Sequence, residues 1–398
     1  MSDVTRTDWA GTVLLLLGSS TGGVGQHLTS LSAGLVGGGA RVVVCGPHAT
    51  EEQFGFTATG ATFVPVEIPA SPTLADAAAV RTLRRVLAAN PVDVVHAHGL
   101  RAGLVAVLAR PSAPVVVTWH NTVMAGGLRG RLSRWAQRRV ARSARITLGA
   151  SPDLVAQATR LGAPDARLAP VAAPELPPPT RSRAAVRAEF GVGPRQPLVL
   201  SVGRLHPQKR YDLLVDAAAR WRELDPPAQV AIAGSGPSYL ALAAQISAVR
   251  APVTLLGHRT DVADLLLGAD LAVVCSDWEA RQLFAQEALR AGVPLVATGV
   301  GGVPELVGDA AVLIAPDDVD ALDTAVRDLL RDHQRRADLA GRGPLRARSW
   351  PTEADTVDGV RAVYRDLTGE RGPAGGRTTS SSRTDRGARG EQMGEGSG

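Results

Sequence analysis

Apolar residues along this chain fall into two alternating patterns: short unbroken runs, and longer stretches in which they recur every three or four positions. Val13–Leu17 is wholly apolar and reads as a buried strand; glycines at 22, 23 and 25 follow, opening a helical pattern through about Val36. Arg41–Cys45, Thr62–Val66, Val92–His96, Val115–Thr118 and Ile146–Leu148 repeat the strand pattern, with helices expected from about Leu74 to Ala89, Leu100 to Ala109 and Pro152 to Leu161. Runs that bury both faces are what parallel strands covered by helices require, so the rhythm predicts an α/β fold. After the proline-rich connection APELPPPT (173–180) the rhythm restarts with Leu198–Ser201, Val230–Ala233, Val253–Leu256, Leu271–Val274, Leu295–Ala297 and Val312–Ile314. The expected architecture is two doubly wound, Rossmann-like domains facing across a cleft, over residues 1–178 and 179–350. A helix over 351–368 is expected to pack back toward the first domain. Residues 369–398 hold too few apolar side chains to fold and are expected to be disordered.

Composition narrows the setting. At 398 residues with 45% apolar content the chain can fill two cores, and its apolar runs are too short to span a bilayer. The first residues, MSDVTRTDW, hold no signal-peptide core, so a cytoplasmic location is expected. Cys45 and Cys275 lie far apart in strand-like runs and read as reduced core residues. A net charge of +5 is compatible with an anionic ligand and gives no reason to expect a nucleic-acid partner. Of the 43 Lys plus Arg, only Lys209 is lysine. Retaining a compact ammonium against so strong an arginine bias fits a phosphate contact, although an ordinary surface lysine would also satisfy the sequence.

The surroundings of Lys209 favour the first reading. The stretch SVGRLHPQK (201–209) follows a buried strand, Gly203 lets the chain turn, and Arg204 and Lys209 then fall at the carboxyl end of that strand, where open α/β sheets bind ligands. Two cations there suggest a diphosphate. The loop with Gly22 and Gly23 has the same strand–turn–helix context, but a G-x-G-x-x-G run is absent and no acidic residue ends the next strand, which argues against a dinucleotide oxidoreductase. His96, His98 and His120 all fall near strand ends; His120, in TWHN, directly follows an apolar strand and is the preferred functional candidate, a structural histidine being the plainer account of each. Glu279 and Glu287 are eight positions apart, ~12 Å along a continuous helix, too far to bracket one glycosidic bond and better suited to the two ends of a long ligand. A helix starting near Gln282, with Leu283 next, would aim unpaired N–H groups at a diphosphate between them. Residues 128–145 read as a strongly basic helix in which Leu128, Leu132 and Trp135 recur among Arg129, Arg131, Arg134, Arg138, Arg142 and Arg145, either a solvated face or a dock for an anionic membrane or an anionic acceptor.

The combination GRLHPQK, GSGP (234–237), LLGHRTDVADLLLGAD (255–270), the E-x7-E pair and EALRAGVPLVATGVGGVPELV (287–307) resembles the retaining glycosyltransferases of family 4, over about residues 12–367. The resemblance implies the GT-B fold. It also implies that Arg204 and Lys209 bind the donor diphosphate, Glu279 the donor sugar and Glu287 the ribose, with His120 near the transferred sugar and Gly22–Gly23 approaching phosphate and acceptor. On this basis His120, Arg204, Lys209 and Glu279 are the expected catalytic residues. Gly22, Gly23, Gly203, Arg204, Lys209, Glu279, Leu283 and Glu287 are the expected donor contacts. The family's small-residue run after the first glutamate is replaced here by Ala280, Arg281, Gln282, Leu283 and Phe284. No metal and no cofactor beyond the nucleotide sugar is implied. A UDP-sugar is the first expectation and GDP-mannose the second. The acceptor, whether small molecule, lipid-linked or glycan, is open. Two other readings stay open: a nucleotide-sugar epimerase on the same fold, and a non-catalytic basic surface-binding protein with a vestigial sugar site.

Overall fold

The computed structural model describes residues 9–20, 22–69, 75–122 and 127–369. Two all-parallel sheets organise them. β1 (Thr12–Leu17), β2 (Arg41–Gly46), β3 (Thr62–Pro65), β4 (Val94–His98), β5 (Val115–Trp119), β6 (Ile146–Gly149) and β7 (Ala166–Leu168) lie in the order β3-β2-β1-β4-β5-β6-β7. β8 (Leu198–Val202), β9 (Gln229–Ala233), β10 (Val253–Gly257), β11 (Leu271–Val274), β12 (Leu295–Thr298) and β13 (Val312–Ile314) lie in the order β10-β9-β8-β11-β12-β13.

The apolar runs form strands because both of their faces are covered. Along β1, Leu14 and Leu16 join one core with Val43, Val95 and Val117, while Val13, Leu15 and Leu17 join another with Leu28, Leu31 and Leu35. Truncating any of these leucines to alanine would cost about 2–5 kcal/mol. In each sheet the chain winds outward from a central strand in one direction and then returns to wind in the other. β1 therefore adjoins β4, and β8 adjoins β11. The connections leaving such a pair diverge and open a crevice at the strands' carboxyl ends. The glycine loop follows β1, His98 ends β4, the Lys209 loop follows β8 and the Glu279 loop follows β11.

The chain passes between the sheets twice, after β7 and near Trp350. Helix Glu353–Thr368 then returns to the first sheet. It starts in a capping box between Thr352 and Asp355, the Trp9 indole donates 3.3 Å to Thr368 Oγ1 at its far end, and Arg361 donates 2.5 Å to the Gly34 carbonyl.

Several elements differ from the sequence pattern. β4 runs to His98, so His96 lies within the strand. β7 and the helices His48–Phe54 and Arg183–Glu189 escape the pattern because each is too short to display a period. Residues 276–282 are not helical; the helix occupies only Leu283–Arg290, so the straight-helix spacing of Glu279 and Glu287 does not hold. The expected helix start at Leu74 and the expected disorder from 370 onward lie outside the described residues. No described helix is long and apolar enough to cross a membrane.

Candidate functional site at the facing strand ends

Beyond β8, Gly203 and Arg204 lead into the 3₁₀ turn Pro207–Lys209. This loop packs so tightly on the one after β9 that a Cβ at Gly234 would strike the Gly203 carbonyl, and Leu205 donates 2.9 Å to Ser235. The GSGP glycines are needed for that approach. Lys209 Nζ donates 2.5 Å to Glu279 Oε1, and Ser276 Oγ donates 2.6 Å to the same oxygen. Arg210 is engaged by Asp212, Asp277 and Asp317. Arg204 is exposed, and its side chain has no ion pair or hydrogen bond among the described residues. Within this loop it is the cation open to a ligand.

Glu279 is held at the junction of the domains. Its flanking residues Trp278 and Ala280 pack into a core built mainly from the first sheet, and Trp278 Nε1 donates 2.9 Å to Asp153 across the junction. Gln208 Nε2 donates 2.6 Å to the Trp278 carbonyl. Below, Gly301 sits at φ +54, where a Cβ would strike the Glu279 carbonyl, and Gly302 N donates 2.9 Å to that carbonyl. Helix Leu283–Arg290 then begins with the Gln282 side chain accepting from Ala285 N at 3.2 Å. The N–H groups of Leu283 and Phe284 have no partner among the described residues, which leaves a positive helix end available. One turn on, burial pushes the Glu287 carboxyl up to about 7, with Arg290 acting in the other direction.

On the opposite side, a Cβ on Gly23 would come within 2.9 Å of Leu283 Cδ1, so the glycine loop touches the start of that helix. Gly22 is the residue before the first helix, its carbonyl accepting from Gly25 N at 3.0 Å. His120 is one member of a buried group of four imidazoles. His98 Nδ1 lies 3.0 Å from His120 Nε2, His96 bridges the Tyr364 hydroxyl and Thr118 Oγ1 at 2.7 Å each, and the His27 ring stands 5.4 Å from that of His120. Burial lowers the pKa of all four: His27 to about 4, His96 to about 3, and His98 and His120 well below the usual value, with mutual repulsion adding to the effect for the last three. They are neutral donors and acceptors at neutral pH. His98 Nε2 is buried without a hydrogen-bond partner among the described residues.

His27, His98 and His120 are also close enough to share a metal ion, with ligand nitrogens within 4.8 Å of one another. His98 Nδ1 and His120 Nε2 already face each other at 3.0 Å, so a cation there would have to replace that contact, and the positive end of helix Gly23–Gly37 would add to its cost. Nothing in the sequence marks His27, which reads there as one polar residue in a helix. Ser276, Asp153 and Gln208 were missed for a similar reason, since their partners are remote in sequence. Arg281, two positions after Glu279, directs its side chain into the connection between the sheets, where its Nε donates 3.2 Å to the Val171 carbonyl.

Helix Gly127–Ser143 buries Ala136, Val140 and Ala141 and leaves Leu132 and Trp135 52% and 54% exposed. Arg131, Arg134, Arg138, Arg139 and Arg142 surround them, none paired with an acidic side chain among the described residues. The side chains of Leu128 and Arg129 lie outside the description.

Two family models match. Residues 182–346 match "Glycosyl transferases group 1", and residues 22–174 match "Glycosyl transferase 4-like domain". A D-inositol 3-phosphate glycosyltransferase of Rhodococcus jostii is 33% identical over 199 residues, 47% of this chain and 44% of that protein, so this match spans less than half of the relative's length. One of Mycobacterium marinum is 29% identical over 333 residues, 75% of this chain and 69% of the other. Among solved structures, Anabaena HepE in complex with UDP superposes with a TM-score of 0.75 at 20% identity, covering 89% of this chain and all of that one. Sucrose-phosphate synthase of Thermosynechococcus elongatus gives 0.76 at 19%, covering 90% and 100%.

Proposed function

The chain belongs to glycosyltransferase family 4 and has the GT-B fold, and from that premise we propose that it moves a hexosyl residue, with retention at the anomeric carbon, from a nucleotide-diphosphate sugar to an acceptor hydroxyl. The observation that supports this reading is that the loops leaving the adjacent strands β8 and β11 carry the Lys209–Glu279 pair, Arg204, and the N–H groups of Leu283 and Phe284, the last three without a partner among the described residues. Together they offer positive charge and oriented donors to a departing diphosphate, the preorganised stabilisation that lowers a leaving-group barrier. Glu279 would meet the sugar, Glu287 the ribose, and the neutral His120 group the hydroxyls on the opposite side. The acceptor hydroxyl would attack from the face that the leaving group vacates. This chemistry asks no metal of the protein.

A UDP-sugar is the favoured donor, with GDP-mannose second. HepE, solved with UDP and with UDP and glucose, supports the first choice. The D-inositol 3-phosphate glycosyltransferases among its relatives make polyol phosphates the first acceptors to try. We further place the protein in the cytoplasm with a peripheral hold on anionic membrane through Leu132, Trp135 and the surrounding arginines. Thermal unfolding against UDP, GDP and their sugars tests the donor, since a ligand at about 100 times its dissociation constant stabilises by roughly 2.7 kcal/mol. No response to any of them removes the reading. An epimerised sugar formed without an acceptor would put the epimerase in its place.

A further inference from the structure

Both segments by which the chain passes between its two sheets are gripped by one stretch of chain, helix Leu283–Arg290 together with the Arg281 that precedes it. In the first crossing, Arg281 Nε donates 3.2 Å to Val171 O, Ala173 N donates 3.1 Å to Gln286 Oε1, and Arg290 Nη1 donates 2.6 Å to Ala173 O and 3.3 Å to Pro174 O. In the second crossing, the Trp350 ring centroid lies 6.0 Å from the Arg281 guanidinium carbon and 5.8 Å from that of Arg290, within cation–π range. The Trp350 indole also donates 2.9 Å to Leu306 O.

Arg281 is central to this arrangement and costly to keep. Its side chain is 2% exposed, the nearest carboxylate oxygen, on Glu305, is 3.6 Å away, and its Nη2 finds no hydrogen-bond acceptor among the described residues. A buried, incompletely satisfied guanidinium lowers stability compared with an apolar residue of similar size. Its polar contacts run to the crossings and away from the sugar. At the other end of the same short segment, Leu283 lies against Gly23 of the first domain. A displacement at the start of this helix is therefore transmitted to both crossings and to the facing glycine loop.

We propose that Arg281 is a positioning residue, coupling occupation of the helix start by a nucleotide diphosphate to the angle between the two domains. The proposal rests on the donor site described above. It does not require Arg281 to touch the donor, and it accounts for an arginine in a position where the family pattern has a small residue.

Small-angle scattering of the full chain, with and without saturating UDP, tests it alongside calorimetric UDP binding. The wild type contracts on UDP. Arg281→Met, which keeps the bulk and loses the charge and the Val171 bond, binds UDP within about threefold of wild type, does not contract, and loses about tenfold in kcat at unchanged donor KM. Should Arg281→Met fail to fold, Arg281→Lys, which keeps the charge and loses the guanidinium Nε bond to Val171, takes its place and is likewise expected to bind UDP without contracting. Full contraction in the variant overturns the coupling, as does a wild type that binds UDP with no change in scattering, and both leave the donor site standing. A wild type that binds neither UDP nor GDP overturns the donor site as well.

Discussion

Lys209 Nζ and Glu279 Oε1 lie 2.5 Å apart, joining the chain's one ammonium to the carboxylate that the second domain holds at the junction. The side chains are 20% and 11% exposed, so the pair is largely out of water. Losing the lysine would leave Glu279 with Ser276 alone. Lys209→Met is expected to lower stability by on the order of 2 kcal/mol, and Glu279→Gln by a similar amount. The double variant should lose less than the sum of the two, because the second substitution removes a group already unpaired. A thermal-unfolding cycle reads this coupling, and strictly additive losses would mean that the pair is not formed in solution.

Arg204 should behave in the opposite way. Exposed and without a partner among the described residues, it contributes little to the fold, and Arg204→Ala is expected to change stability by no more than about 0.5 kcal/mol. Nucleotide affinity should fall by about tenfold or more, since a charge-assisted bond to phosphate is lost. Calorimetry with UDP and UMP separates the contributions: the loss should be large for the diphosphate and smaller for the monophosphate. Equal losses for both would place Arg204 on the nucleoside side of the site.

Glu287 introduces a pH dependence with a definite sign. Its carboxyl is raised from 4.5 to about 7 in the folded chain by burial. Between those values the unfolded chain has released a proton that the folded chain keeps, so this group's stabilisation is full below about 4.5 and is lost as pH rises to 7. Glu287→Gln should therefore be more stable than wild type at pH 8, by on the order of 2 kcal/mol. Ribose hydroxyls donate to the ionised form. Wild-type affinity for UDP should thus be greater at pH 8 than at pH 6, and the glutamine variant should show a flatter profile. A wild-type profile as flat as that of the variant would remove Glu287 from the ribose contact.

The four buried imidazoles carry the reverse sign. With folded pKa values well below 6.5, they contribute stability that is present above 6.5 and lost as pH falls toward 4 and lower. Each can cost on the order of 2 kcal/mol between pH 6.5 and 5, enough for this group to outweigh the gain from Glu287. Thermal unfolding from pH 7.5 to 5 should show a steep fall in Tm. His27→Gln, which keeps a polar side chain and cannot titrate, should reduce the slope. An unchanged slope would show that His27 is solvated.

The parts of this molecule that were legible in the sequence are those whose signal is local. Val13–Leu17 is buried on both faces, and a run of five apolar residues says so directly. Lys209 stood out because the rest of the chain avoids lysine, and its loop position followed from the strand before it. What could not be read was any relation whose two ends are far apart in sequence. The four histidines converge from β4, the end of β5 and the first helix, and no spacing rule links position 27 to 98 and 120. Arg281 shows in the sequence only as a departure from the family's small-residue run, and nothing there reveals that its side chain reaches Val171, 110 positions away. The straight-helix estimate for Glu279 and Glu287 failed because the helix begins only at Leu283.

Helix Gly127–Ser143 gives the last prediction. An exposed tryptophan and leucine are unremarkable singly, but these two lie three positions apart on a face edged by arginines that have no acidic partner among the described residues. Elsewhere in the chain arginines pair readily, as Arg259 does with Glu189 and Asp261. Each basic residue near an anionic surface is worth about 1 kcal/mol, and the apolar side chains add insertion into the headgroup boundary. The wild type is therefore expected to float with vesicles containing anionic lipid at low salt and to be released as salt rises. Trp135→Ser with Leu132→Ser should weaken flotation at every salt concentration, while Arg134→Gln with Arg138→Gln should weaken it mainly at low salt. Equal binding to neutral vesicles would point to apolar insertion without the charge, and no flotation at low salt would leave the arginines as an ordinary solvated face.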